Sequence, residues 1–297
     1  MRIGTRARAL ALAQARGVVE RIAGAELVPI SSPVEAHAPG DKSRFVAGLE
    51  QALQRGEIDA AVHSAKDVPG TLASGLELVA APARAAVEDV LCGASAIEEL
   101  AAGARVGTSS PRRAAQLRAA REDLEVAELR GNVDTRLRKL ADGEADALVL
   151  ARAGLQRLGR EDAIGAVLDP ARFVPAPGQG TLVLEARAGD TRAREALAPL
   201  GDADTFACLL VERALAAALD ASCELPLGAL ATVAAGGLRL RAWVGAADGS
   251  AWIRDELLGE RAEPEALGQE LARRMRLVGA DEVLYGAGDG RRAGRIT

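Results

Sequence analysis

Through the first two thirds of the chain, short runs of Val, Ile and Leu alternate with longer segments whose apolar residues recur at helical spacing. Arg2-Ile3-Gly4-Thr5 predicts a strand running into a turn, with Thr5 as N-cap of a helix over Arg6 to Val19. Leu27 to Ile30 predicts the next strand, and the polar stretch Glu35 to Arg44, with Pro39 and Gly40, a loop. Phe45, Leu49 and Leu53 mark one face of a helix ending near Gly56. Asp59 to His63 reads as a buried strand followed by Ser64-Ala65-Lys66-Asp67-Val68-Pro69, and Leu76 to Ala80 as another strand. Val106-Gly107-Thr108 then repeats the grammar of Ile3-Gly4-Thr5. Here Ser110 is the expected N-cap, Pro111 suits the first helical position, and Arg112 and Arg113 fall in the first turn. Leu124 to Leu129 predicts a strand leading through Arg130 to Arg136 into a helix, and Ala147 to Ala151 a strand before a helix through Leu158. Such βα alternation implies mainly parallel sheets with helices on their faces.

The pattern changes at Val174-Pro175-Ala176-Pro177-Gly178-Gln179-Gly180, which reads as a crossover or hinge. Leu182 to Ala186 is a strand that can return to the first lobe. Asp204 to Asp220 is helical, and Cys223 follows on the turn Leu219 to Gly228. Ala229 to Ala234, Leu238 to Val244 and Ala251 to Leu258 predict three strands; a helix from Pro264 to Leu277 and a short strand near Val283 follow. The Gly/Arg-rich tail Gly286 to Thr297 reads as disordered. The expected fold class is α/β: two lobes, residues 1–85 plus about 181–200 and residues 87–174, and a smaller α+β C-terminal domain, residues 203–297, with an antiparallel sheet.

Composition narrows the function. Among 297 residues only three are Phe, so the core must be built from Ala, Val, Leu and Ile. A net charge of −5 and the lack of aromatic platforms argue against a nucleic-acid partner. No apolar run is long enough to span a bilayer, and the N-terminus has no signal-peptide pattern, so no membrane partner is expected and the cytoplasm is the simplest address. Cys92, Cys208 and Cys223 form no CxxC pair, which argues against a disulfide framework and a metal site. Lysine is scarce beside arginine, with Lys42, Lys66 and Lys139 alone present.

Arg6, Arg112, Arg113, Arg130 and Arg136 cluster at turns and helix starts. Helix N-termini favour anions, and a guanidinium suits a carboxylate bidentately. Either these arginines form an anion cleft between two similar lobes, or they are a solvated basic face. Asp67 follows a buried strand, where ligands of open α/β sheets bind; it either stabilises a cation that develops during reaction or caps the turn before Pro69. The Cys223 thiol is either reactive or a small buried residue. Glycine-rich phosphate cradles are absent, and neither His37 nor His63 lies in a nucleophile-elbow context.

His63 to Pro69, Gly107-Thr108-Ser109-Ser110-Pro111-Arg112-Arg113, Leu129-Arg130-Gly131-Asn132-Val133-Asp134-Thr135-Arg136 and Cys223-Glu224-Leu225-Pro226-Leu227-Gly228 together resemble the porphobilinogen deaminase (hydroxymethylbilane synthase) family, as do Pro175 to Gly180 and Ile3-Gly4-Thr5-Arg6. The resemblance implies two lobes of the type II periplasmic-binding-protein kind and a third domain carrying the cysteine. It implies a dipyrromethane cofactor, one per chain, thioether-linked to Cys223. Four porphobilinogen units would be added head to tail, each losing ammonia, and water would release the linear tetrapyrrole. By position Asp67 resembles the family's catalytic aspartate. Lys66, Ser110, Arg112, Arg113 and Arg130 would hold the cofactor, and Arg6, Arg136 and Gln179 the substrate; a monomer is implied. The chain departs from the family pattern at Arg8, where Ser is common, in Asp41-Lys42-Ser43-Arg44-Phe45, and in Ala83 to Asp89, where only Arg84 and Asp89 remain of a more charged hinge.

Overall fold

The short apolar runs become strands of two separate sheets, and the chain passes between them twice. The structure, a computed structural model, describes residues 1–31, 43–221 and 225–286. The first lobe opens with β1 (Arg2–Arg6), α1 (Ala9–Val19), β2 (Glu26–Ile30), α2 (Ser43–Gln54), β3 (Ala60–Ser64) and β4 (Leu76–Ala80). The second holds β5 (Asp89–Cys92), β6 (Arg105–Gly107), α3 (Pro111–Ala120), β7 (Glu125–Ala127), α4 (Val133–Ala141), β8 (Ala147–Ala151), α5 (Arg152–Arg157) and β9 (Ala166–Val167). The remainder comprises β10 (Leu182–Arg187), α6 (Thr191–Leu197), α7 (Ala203–Ala218), β11 (Leu227–Ala234), β12 (Gly237–Gly245), β13 (Trp252–Gly259), α8 (Pro264–Leu277) and α9 (Ala280–Tyr285).

The two five-stranded sheets share one topology. Their orders are β2-β1-β3-β10-β4 and β7-β6-β8-β5-β9. In each, three neighbouring strands run parallel, and the fourth is antiparallel to both its neighbours. That fourth strand is the one arriving from the other lobe: β5 enters the second sheet and β10 returns to the first. The two crossing segments, 81–88 and 174–181, therefore lie side by side, joined by Ala85 N–H to the Gly180 carbonyl (3.2 Å). The third sheet, β11-β12-β13, is antiparallel throughout. Val211 and Leu215 of α7 and Leu271 and Met275 of α8 share one core with Ala229, Leu240 and Ala242 of this sheet. This is the α/β fold expected, with two similar lobes and a smaller α+β unit.

Local chemistry explains most boundaries. Ser110 caps α3 by accepting from Arg113 N (3.5 Å), with Pro111 in the first turn, and Asn132 caps α4 by accepting from Thr135 N (2.8 Å). Two expectations are corrected. Thr5 is not the cap of α1: it is buried within β1, its Oγ1 donating towards the Ala11 carbonyl (3.3 Å), and Arg8 stands in the cap position without a side-chain bond. The segment around Val283 is helical, not a strand. Gly279 turns the chain at φ 97°, Asp281 and Glu282 occupy the first turn of α9, and Leu284 enters the core; so short an apolar run has no decisive period. The loop expected over Glu35 to Arg44 falls mostly, and the tail after Gly286 wholly, outside the described residues.

Glu212 joins the parts. It lies on the buried stripe of α7 and is wholly inaccessible. Its Oε1 accepts from Arg84 Nη1 (2.7 Å) and Ala231 N (2.8 Å), and its Oε2 from Arg84 Nη2 (3.2 Å) and Gly178 N (2.6 Å). Arg84 also donates from Nε to the Gln179 carbonyl (2.9 Å). One carboxylate thus ties both crossing segments to α7 and β11. Removing one partner of such a buried pair leaves the other charge unpaired, at a cost of about 3–5 kcal/mol. Glu212→Ala is expected to lower stability by that amount in denaturant unfolding; a loss below about 1 kcal/mol, the level of an exposed pair, would show that the junction does not depend on it.

Candidate active site

The parallel strands of both lobes end on the side where the chain crosses. β1 ends at Arg6 and β3 at Ser64, directly before a 3-10 turn, Ala65–Asp67. In the second lobe β6 ends before Thr108-Ser109-Ser110 and α3, and β7 before Arg130 and α4. Carboxyl ends of strands are where open α/β sheets bind ligands.

The Ala65–Asp67 turn is held by the returning crossover. Ala65 N donates to the Thr181 carbonyl (3.0 Å), and Val68 N closes the turn on the Ala65 carbonyl (3.2 Å). Gly178 lies against the same backbone at φ 76°, and a Cβ there would stand 2.9 Å from Lys66 N. Only glycine fits that approach. Asp67 and Lys66 are each half-buried. Burial pushes the Lys66 ammonium down to about 8; Arg113 and Arg112 push in the same direction, and Asp67 and Asp89 oppose them.

Arg112 and Arg113 converge on Asp89, which is 1% exposed. Arg112 Nη2 donates to Asp89 Oδ2 (2.7 Å), and Arg113 donates from Nη2 (2.7 Å) and Nε (3.0 Å) to Oδ1. Gln179 Nε2 donates to the same Oδ1 (2.9 Å) and to the Val87 carbonyl (2.7 Å). The outer nitrogens Arg112 Nη1 and Arg113 Nη1 reach the carbonyls of Val174 (2.8 Å) and Val149 (3.2 Å). Burial works against the Asp89 charge, but the field and hydrogen bonds of the two arginines hold its carboxyl well below the usual range. Arg112 is itself lowered by burial.

Arg136 leaves the first turn of α4 to donate from Nη2 to Ser109 Oγ (2.6 Å). Burial, then Arg113, lowers its pKa. Among the described residues, the buried Nε atoms of Arg136 and Arg112 have no hydrogen-bond partner. Lys66 is thus within electrostatic reach of Arg112, Arg113, Asp67 and Asp89, and Arg136 within reach of Arg113. The excess of positive charge and the spare buried donors fit a cofactor that carries carboxylates.

The remaining expected residues are placed differently. Ser110 spends its oxygen on the α3 cap. Gln179 bridges the two crossings, although its Oε1 is buried without a partner. Arg130 is 82% exposed and pairs with Glu128 at the surface. Arg6 is half-buried at the end of β1. Cys223 lies outside the described residues, between Ala221 and Leu225. Burial pushes the other two thiols, Cys92 and Cys208, up to about 11. His63 bonds Glu185 through Nε2 (2.9 Å), both buried within the first sheet.

Four residues at the site escaped sequence reasoning as functional candidates. Asp89 is an acid in an apolar strand, Glu212 an acid on the buried stripe of an Ala/Leu helix, and either mismatch is a legible signal of a buried pair. Arg213, beside Glu212, reaches the turn after Asp67, and Arg157 reaches the Gly180 carbonyl (2.8 Å) from α5 and is lowered by burial. Neither arginine stands out in so Arg-rich a chain.

The dipyrromethane cofactor-binding domain of porphobilinogen deaminase matches residues 1–195, and that protein's C-terminal domain matches residues 206–276. The porphobilinogen deaminase of Roseiflexus castenholzii is 43% identical over 300 residues, covering 96% of this chain and 98% of that protein. That of Mycobacterium marinum is 42% identical over 311 residues, covering 97% and 98%. Among solved structures, the methionine-binding protein MetQ overlaps 67% of this chain and 89% of its own at 17% identity and a TM-score of 0.41. On the two domain matches and the near full-length relatives, the chain belongs to the porphobilinogen deaminase family.

Proposed function

We propose that the chain joins four porphobilinogen units head to tail, with loss of ammonia, on a dipyrromethane primer tethered to Cys223, and releases hydroxymethylbilane. The observation that carries this reading is the position of the Lys66-Asp67 turn beside the Arg112–Arg113–Asp89 cluster, at the crossing of two lobes. A substrate with two carboxylates needs cations to hold it, and a reaction that expels ammonia from a pyrrole needs an anion where positive charge develops.

When bound, the dipyrromethane would supply the free pyrrole carbon to which the first unit is joined, each later unit joining the ring added before it. Arg136 and Lys66 would hold its carboxylates and those of the substrate, with the spare Nε donors of Arg136 and Arg112 directed to the same task. Arg113, fully engaged by Asp89 and Val149, would contribute charge more than direct contacts. Arg130 and Arg6 would engage carboxylates further along the chain of rings, and Gln179, whose Nε2 donates to Asp89 and Val87, would offer its spare Oε1 to a pyrrole N–H. Asp67 would accept the pyrrole N–H and stabilise the cation left by departing ammonia. Gly178 and Thr181 keep the Asp67 turn in place.

Three measurements test this. The purified chain should be heavier than its sequence by one dipyrromethane; Cys223→Ala should lose that mass, while Cys92→Ala and Cys208→Ala keep it. A chain of bare mass that gains nothing on incubation with porphobilinogen would count against the whole reading. Asp67→Asn should retain fold and cofactor but lose turnover by about 10²–10³-fold, the scale for removing an electrostatic stabiliser; normal turnover would remove Asp67 from its role. Finally, Lys66 should titrate near 8 in the cofactor-free protein. Its charge is present below that pH and lost above it, so carboxylate binding should weaken from neutral pH towards pH 9. Isotope-labelled dimethyl-lysine spectra, with Lys66→Met for assignment, would show an ordinary lysine value if the burial argument is wrong.

A further inference from the structure

Asp67 sits on a one-turn 3-10 helix, which has little internal structure to fix it. What fixes it comes from α7. Glu212 accepts from Gly178 N (2.6 Å), and Gly178 is packed on the backbone of Ala65 and Lys66. The next residue, Arg213, crosses to the other side of the turn. Its Nη2 donates to the carbonyls of Pro69 (2.8 Å) and Gly70 (2.8 Å), and its Nη1 towards that of Val68 (3.4 Å). Consecutive residues of one helix therefore hold the two backbones that flank Lys66-Asp67.

Arg213 is unusual in what it binds. Among the described residues no carboxylate forms an ion pair with it; it is half-buried, and its fork is spent on three successive carbonyls. Burial lowers its pKa, opposed by the more distant Glu185. A cation that gives up water for main-chain oxygens alone serves their geometry, because carbonyls of an irregular segment otherwise lack fixed partners. Leu209 and Phe206, on the same side of α7, pack with Ala65 and Val68 and so place the helix against the turn.

We propose that Arg213 is a positioning residue for the Asp67 carboxylate: it clamps the Val68-Pro69-Gly70 backbone from α7 while Glu212 secures the opposite side through Gly178. Arg213 touches no reacting group. It sets where Asp67 stands relative to the helix that leads to Cys223. This rests on the role given to Asp67 above. Misplacing a catalytic group by about 1 Å costs on the order of 10²-fold in rate, and a loss in kcat with KM unchanged marks an interaction made only in the transition state.

The test compares Arg213→Met, which keeps the stem and removes every donor, with Arg213→Gln, which keeps an N–H₂ donor, in cofactor-bearing enzyme verified by intact mass. Arg213→Met should lose between about tenfold and about 10²-fold in kcat with KM within about twofold of the parent, and Arg213→Gln should recover part of the loss. Hydrogen exchange over residues 65–72 should be faster in Arg213→Met, with or without cofactor. If that variant does not fold, Arg213→Gln carries the same comparison against the parent. A kcat within about twofold of the parent, a loss confined to KM, or unchanged exchange over 65–72 overturns the proposal. Asp67→Asn is measured alongside. If it turns over normally, the role of Asp67 fails and the inference falls with it; if it is inactive while the Arg213 variants are normal, the clamp alone is wrong.

Discussion

Two buried carboxylates, Asp89 and Glu212, govern how this chain is assembled. Wherever the chain passes between lobes it must bury irregular backbone, and every buried N–H and C=O there needs a partner. Glu212 supplies acceptors for two main-chain N–H groups and both outer nitrogens of Arg84, and Asp89 for two arginines and Gln179. A carboxylate removed from water is tolerated only when its lone pairs are used this completely. Apolar packing accompanies it: Ala115, Val174, Leu230 and Trp243 form one cluster at the crossing, and Ala65, Val68, Ala81 and Leu209 belong to another. Charge and hydrogen bonding therefore satisfy the irregular backbone that apolar packing at the crossing would leave unpaired.

This changes what the arginines of α3 mean. A helix that opens on Arg112 and Arg113 sets two cations against the positive end of its dipole, and an anion is needed to repair the mismatch. The protein already provides one in Asp89. The pair is therefore first a structural device, and its capacity towards a ligand is what remains: one spare nitrogen on Arg112 and the long-range field of both. Arg136 and Lys66 hold more of the unspent charge, since burial lowers both and neither forms an ion pair among the described residues.

Much of this architecture was legible in the chain. Repeated strand–Gly–Thr grammar marked the two lobes, Ser110-Pro111 fixed the start of α3, and Leu182 onward became β10 in the first sheet, beside β3. What was not legible is long-range. β5 is four residues long and carries an acid, so no local pattern announces it; its partner β8 and the arginines that neutralise Asp89 are brought to it only by the fold. α9 failed for the opposite reason, a local signal too short to carry a period. The motifs pointed to Asp67 and Lys66, but not to the helix that supports them, because Glu212 and Arg213 matter through backbone atoms that sequence spacing does not reveal. Arg84 and Asp89, the two charges that remain of the family's hinge pattern in Ala83 to Asp89, are the two that anchor the crossing.

The distribution of strong and weak pairs also matches the demands of a growing polyanion. On the proposed reaction the turn that acts on every incoming unit must stay put, and Asp67 lies between the backbone clamps of the buried Glu212 and the half-buried Arg213. Groups that hold a lengthening chain must change partners. Arg130, in the role proposed for it, suits that need: its bond to Glu128 is exposed on both sides, and exposed pairs are worth about 0–1 kcal/mol, so an arriving carboxylate would displace Glu128 at little cost. Breaking the Asp89 pairs would instead leave a buried charge uncompensated. On the proposed reaction, the adaptable contacts therefore belong to the rim, with Arg130, and the invariant geometry to the crossing, where Arg84, Glu212 and Asp89 leave no donor to exchange among themselves.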